Sequence, residues 1–133
     1  MGTMTFAEVA EGVRATIARY TQALDDGRTD DVVATFCADG AFELVGTGTF
    51  EGHDVLRETY ARWTPRAPQR HLVTNTLVTG WDDHGASATS DVVLVVQGPS
   101  GWAVQFVARY ADVLHRDDTA PDGWRFHRRT VTT

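Results

Sequence analysis

An α+β fold is predicted for this 133-residue chain, with long N-terminal helices packed on a curved, mainly antiparallel sheet. Three observations carry the prediction. Apolar residues recur every three or four positions through much of the first half, the signature of buried helix faces. From Arg70 onward the pattern changes to four strand-length segments. The links between these segments are short and rich in Gly, Asp and Pro, so consecutive strands can pair as an antiparallel meander. No repeat, low-complexity tract or linker divides the chain, and residues 1–133 are read as a single domain.

The first helix is expected over 5–25, where Phe6, Val9, Val13, Ile17, Tyr20 and Leu24 form one apolar stripe. Thr5 and Glu8 make a capping box at its start, and Gly27 is suited to a left-handed stop beyond its end. Asp25 in the last turn is an oddity, because a carboxylate there faces the negative end of the helix dipole. A second, short helix is expected over 30–36, capped by Thr29, with Cys37 just after its end. Residues 41–45 read as a strand, and the glycine-rich segment 46–50 as a bent edge or hairpin. A third helix over 53–63 ends before Pro65 and Pro68. The long strands are expected at 70–79, 86–97, 102–115 and 124–131. The run Val92 to Val96 is apolar on both faces, which places its strand centrally, covered by helices on one side and by a partner subunit on the other.

Composition narrows the function. With 42% hydrophobic and 23% charged residues the chain is an ordinary globular protein, and a net charge of −6 argues against a nucleic-acid surface. No apolar run is long enough for a membrane span and no signal-like leader is evident, so a cytoplasmic location is expected. Cys37 is the sole cysteine, and His53, His71, His84, His115 and His127 show no tight ligand spacing, so no metal is expected. Dinucleotide and phosphate-loop motifs are absent too, and no cofactor is expected.

His71 is the most informative residue. It sets an acid/base group that titrates near pH ~6.5 when unperturbed inside an apolar strand. In a regular strand His71, Val73, Asn75 and Leu77 share a face, which would let the Asn75 amide reach a substrate oxygen or satisfy a bulge. Tyr20 and Tyr60 suit either a core face or hydrogen bonds to a carbonyl, and Trp63, Trp102 and Phe106 suit either packing or the walls of a pocket. Asp25 and Asp26 point about 100° apart on a helix, so only one faces any such pocket.

The segments Tyr20-Thr21-Gln22-Ala23-Leu24-Asp25-Asp26-Gly27, Arg70-His71-Leu72-Val73-Thr74-Asn75, Arg109-Tyr110-Ala111-Asp112 and Gly123-Trp124-Arg125-Phe126 resemble the SnoaL-like branch of the nuclear transport factor 2-like superfamily. The resemblance extends over residues 15–131. It implies a cone-shaped α+β barrel in which a bent sheet wraps a long helix, and a homodimer through the sheet face. The superfamily includes polyketide cyclases, scytalone dehydratase, ketosteroid isomerases and plain binding modules. Scytalone dehydratase-like members carry an Asp at the end of the first long helix and a His at the start of the first long strand, positions held here by Asp25 and His71. The chain departs from that pattern at Leu24, where a tyrosine is favoured, and in lacking a second histidine in 86–97. The implied function is a cofactor-independent dehydratase, cyclase or isomerase working on a small hydrophobic carbonyl compound. The alternative is a non-catalytic ligand-binding or subunit-assembly module.

Overall fold

The computed structural model describes residues 3–133. Three helices, α1 (Phe6–Asp25), α2 (Thr29–Ala34) and α3 (His53–Arg62), cover one face of a single sheet. Its strands are β1 (Phe36–Leu44), β2 (Gly48–Glu51), β3 (Gln69–Trp81), β4 (Gly85–Gly98), β5 (Gly101–Arg116) and β6 (Trp124–Thr132). The spatial order is β2-β1-β6-β5-β4-β3, antiparallel throughout except for the parallel β1–β6 pair. The α+β arrangement expected from the sequence is therefore present, and β3 to β6 form the expected meander. Among the described residues, no helix is long and apolar enough to cross a membrane.

Both ends of α1 follow local chemistry. The Glu8 backbone N–H donates to the Thr5 hydroxyl at 3.2 Å, and the Thr5 N–H donates to the Glu8 carboxylate at 2.8 Å. Gly27 adopts φ 72°, which turns the chain so that the Arg28 N–H reaches the Ala23 carbonyl at 2.9 Å. Val9, Val13, Ile17 and Tyr20 on its stripe are all buried against the sheet. Gly12 permits this approach: a Cβ there would lie 2.6 Å from the buried Trp124 ring. Gly12→Ala should therefore destabilise the protein by about 1–2 kcal/mol, overpacking outweighing the helix propensity gained from alanine. Urea unfolding of the two proteins measures the difference.

The region after α1 departs from expectation. Thr29 is the first residue of α2 rather than its cap, and the helix ends at Ala34, where the Thr35 hydroxyl donates back to the Val32 carbonyl at 2.6 Å. Phe36 and Cys37 belong to β1, five residues upstream of the expected strand start. The cause is tertiary: Phe36 pairs with Phe126 of β6, a partner ninety residues away that no local pattern reveals. The segment 46–50 forms a turn and the edge strand β2, as its glycines suggest.

The core runs along the inner face and is rich in aromatic rings. Phe36, Phe126, Tyr20 and Tyr60 make a chain of tilted and edge-on ring contacts. Beneath Tyr20 and Tyr110 lies Arg129, fully buried, its guanidinium donating to both oxygens of the buried Asp112 at 2.8 and 2.9 Å. The depth of this pair is visible only in the folded molecule.

Candidate active site

The last turn of α1 and the first residues of β3 meet at a cavity of about 300 Å³ on the inner face of the sheet. Asp25 projects from the helix end onto the strand. Its Oδ2 accepts the His71 backbone N–H at 2.8 Å, and its Oδ1 lies 2.6 Å from His71 Nδ1 and accepts the Gln69 amide at 3.1 Å. Both side chains are almost fully buried, at 5% and 8% exposure. Three donors converge on a carboxylate at the unfavourable end of a helix, which explains the oddity in the sequence: the β3 terminus supplies what the dipole withholds. Asp26 takes the other direction, its carboxylate exposed beside Arg28.

This contact sets the chemistry of the imidazole. An Nδ1–H donated to the Asp25 carboxylate leaves Nε2 as the nitrogen that holds the lone pair whenever the ring is neutral; among the described residues Nε2 has no hydrogen-bond partner, and the ring lines the cavity and packs edge-on to Phe106. An imidazole held in one orientation by a second group is thus presented to a mostly apolar pocket, an arrangement that can serve proton transfer.

Tyr20 and Tyr60 line the same cavity, their hydroxyls 2.5 Å apart. Burial raises both phenols above the ordinary tyrosine range, an effect only partly offset at Tyr20 by the nearby Arg129. They stay neutral. In such a pair one hydroxyl proton is spent on the other oxygen, and the second is free to donate to a ligand. Tyr110 also lines the cavity and is held neutral by its burial.

The chain matches the SnoaL-like domain family over residues 6–130. It belongs to that family. Solved structures similar to this SnoaL-like domain include a Mycobacterium tuberculosis protein of unknown function, 26% identical, covering 92% of this chain and 70% of that one at a TM-score of 0.83. A Catenulispora acidiphila protein in complex with S-DNPA is 23% identical, with 94% and 92% of the two chains covered and a TM-score of 0.82. A candidate scytalone dehydratase from Novosphingobium aromaticivorans is 18% identical, with 98% and 88% covered and a TM-score of 0.81. No curated protein matches this chain in sequence.

The remaining candidates of this SnoaL-like domain divide. Trp63 and Phe106 line the cavity, and Trp63, still 37% exposed, packs edge-on against Phe42 and Tyr60. Trp102 does not join them; it is half exposed on the outer face near the β4–β5 turn. Asn75 is a correction. The register of β3 shifts between Thr74 and Leu77, Asn75 adopts φ 54°, and its amide donates to Asp91 at 2.9 Å, outside the Asp25–His71 cavity. The assumed regular alternation fails at that bulge, which turns Asn75 and Leu77 to the exposed side. Arg109 also donates to Asp91 there, at 2.9 Å, so this exposed polar group is already paired.

Sequence reasoning missed Gln69 and Tyr110. Gln69 was detectable in principle, since it lies two residues before His71 and so shares its strand face, but the expected strand begins one residue later, at Arg70. Tyr110 lies in a quoted family-like segment, yet its position above Arg129 depends on the pairing of β5 with β6.

Proposed function

We propose that this protein is a cofactor-independent acid/base enzyme, a lyase or isomerase acting on a small hydrophobic carbonyl compound of polyketide-like character. The observation that carries the reading is the His71 imidazole, oriented by buried Asp25 through Nδ1 and open at Nε2 to an apolar cavity. In this reading Nε2 removes a proton from the carbon next to the substrate carbonyl. The electron pair moves onto the carbonyl oxygen, which the free Tyr20–Tyr60 proton stabilises as an enolate. The imidazolium then returns its proton, either to a different carbon in an isomerisation or to a departing hydroxyl in a dehydration. Asp25 stabilises the cation between the two transfers. Trp63, Phe106 and Phe42 exclude water and favour a flat or aromatic substrate.

The test follows the proton. In D2O, the protein should catalyse deuterium exchange at the α-carbon of small aryl and cyclic ketones, followed by NMR, and the exchange should vanish in His71→Ala. Tight binding of such ketones with no exchange and no product by mass spectrometry would instead establish a binding module. One observation favours that second reading: Asp25 also bonds the His71 backbone and Gln69, contacts that serve to stitch α1 to β3.

The homodimer belongs to the same reading. Leu72, Leu77, Trp102, Val104, Val107 and Val113 expose 42–65% of their surface along β3 and β5 on the sheet's outer face. An apolar strip of this kind calls for a partner, and a second copy of the sheet is the proposed one. Light scattering should give twice the chain mass, and Val107→Lys should shift it to monomer.

A further inference from the structure

On the outer face of the sheet, away from the proposed active site, three residues distant in sequence come together. Cys37 of β1, His127 of β6 and His115 of β5 each offer a ligand atom, and these atoms lie within 4.8 Å of one another. The backbone is bent to bring them there. Phe36 pairs with Phe126 and Ala41 with Arg128, so residues 37–40 of β1 bulge opposite His127 alone. On the other side Val113 pairs with Arg128 and Leu114 with Phe126, leaving His127 without a register partner on β5 as well. Gly40 makes the tight fold possible, since a Cβ there would lie 2.9 Å from the carbonyl oxygens of Cys37 and Phe126. The preceding residues Phe36, Leu114 and Phe126 are wholly buried on the inner face, which directs Cys37, His115 and His127 outward. The imidazole rings stack with centroids 4.2 Å apart, and His127 Nδ1 is buried with no hydrogen-bond partner among the described residues.

We propose that Cys37, His115 and His127 form a binding site for a zinc-class divalent ion, with a fourth position open to water or a small ligand. One thiolate and two imidazoles are the borderline-soft donor set that such ions select. Tetrahedral ligation at Zn–N ~2.0–2.1 and Zn–S ~2.3 Å sets donor atoms ~3.4–3.6 Å apart, so the ligand atoms need to close up by at most about 1.4 Å. The exposed His115 can rotate to provide this movement. A nucleophilic role for Cys37 fits less well, because burial and then Asp39 hold its thiol protonated above the ordinary range. A metal ion displaces that proton to solvent on binding.

The experiment is titration of the chelator-treated full-length protein with Zn2+ by calorimetry and with Co2+ by absorbance. One equivalent should bind, and the Co2+ complex should show a thiolate-to-cobalt charge-transfer band. Cys37→Ser should abolish the band, and His115→Ala and His127→Ala should each weaken binding by at least about 10-fold, as loss of even outer-shell partners does. His84→Ala, at another exposed histidine, should leave it unchanged. Absence of stoichiometric binding, or binding indifferent to His115→Ala, overturns the site. His115 is exposed, so that variant tests the proposal even if a substitution at Cys37 impairs folding.

Discussion

His71→Ala is expected to reduce turnover by about 10²–10⁴-fold, the usual contribution of a positioned general acid/base. The informative companion is His71→Gln. Glutamine retains an N–H with which to satisfy Asp25, so the buried carboxylate is not orphaned and stability should stay within about 1 kcal/mol of the parent. It has no titrating nitrogen, so catalysis should be lost as completely as in His71→Ala. A histidine that merely stitches α1 to β3 predicts the opposite: Gln would restore whatever Ala disrupts. Asp25→Asn should affect both properties. Its single carbonyl oxygen must replace two carboxylate oxygens that together accept from the His71 N–H, the His71 ring and the Gln69 amide. Loss of one such charge-assisted bond corresponds to about 1.5–3 kcal/mol, with a fall in turnover as the imidazole loses its orienting partner. Steady-state kinetics with urea unfolding of the three variants separates these outcomes. A fully active His71→Gln protein would falsify the assignment of His71 as the acid/base group.

The largest stability effect is expected at the pair beneath the cavity. Asp112→Ala leaves the Arg129 guanidinium wholly buried without its counter-charge and should cost about 3–5 kcal/mol. Burial opposes the charge on Arg129, but Asp112 outweighs that penalty and holds the guanidinium above its ordinary range. The guanidinium carbon lies 3.7 Å from the centre of the Tyr110 ring and 4.4 Å from that of Tyr20, so stacking adds to the support. Replacing both partners with apolar residues of similar volume, Asp112→Leu with Arg129→Met, should recover much of the loss because no buried charge remains. Urea unfolding with an unchanged denaturant slope is the measurement. Tyr20 rests on this pair, so the double variant should keep its fold yet bind carbonyl ligands less well, and ligand affinity measured beside stability would expose the coupling.

Much of the architecture was legible because it is local. The capping box at Thr5 and Glu8, the left-handed stop at Gly27 and the period-two strands from β3 to β6 all depend on residues within a few positions of one another. The failures share a cause. The local pattern ends a helix at Phe36 with Cys37 just beyond it, whereas pairing with Phe126 draws both into β1. Asn75 was placed on the His71 face by a rule that holds only until the bulge after Thr74. The histidines 115 and 127 showed no ligand spacing along the chain, because the geometry that joins them to Cys37 is spacing across strands.

His71 and Asp25 were both visible as residues out of place, an imidazole in an apolar strand and a carboxylate at the wrong end of a helix. Such anomalies can be detected from one sequence because they violate a local preference. That the two anomalies cancel one another across 46 positions is a property of packing. It depends on the angle at which α1 crosses the sheet and on which neighbour β3 chooses. The buried Arg129 is the reverse case: nothing near it in sequence marks it as unusual, and its desolvated charge becomes affordable only when β5 brings Asp112 alongside. Local patterning thus specifies the elements and flags the odd residues, whereas long-range pairing and burial decide which of them meet, because those free energies exist only once the sheet has formed.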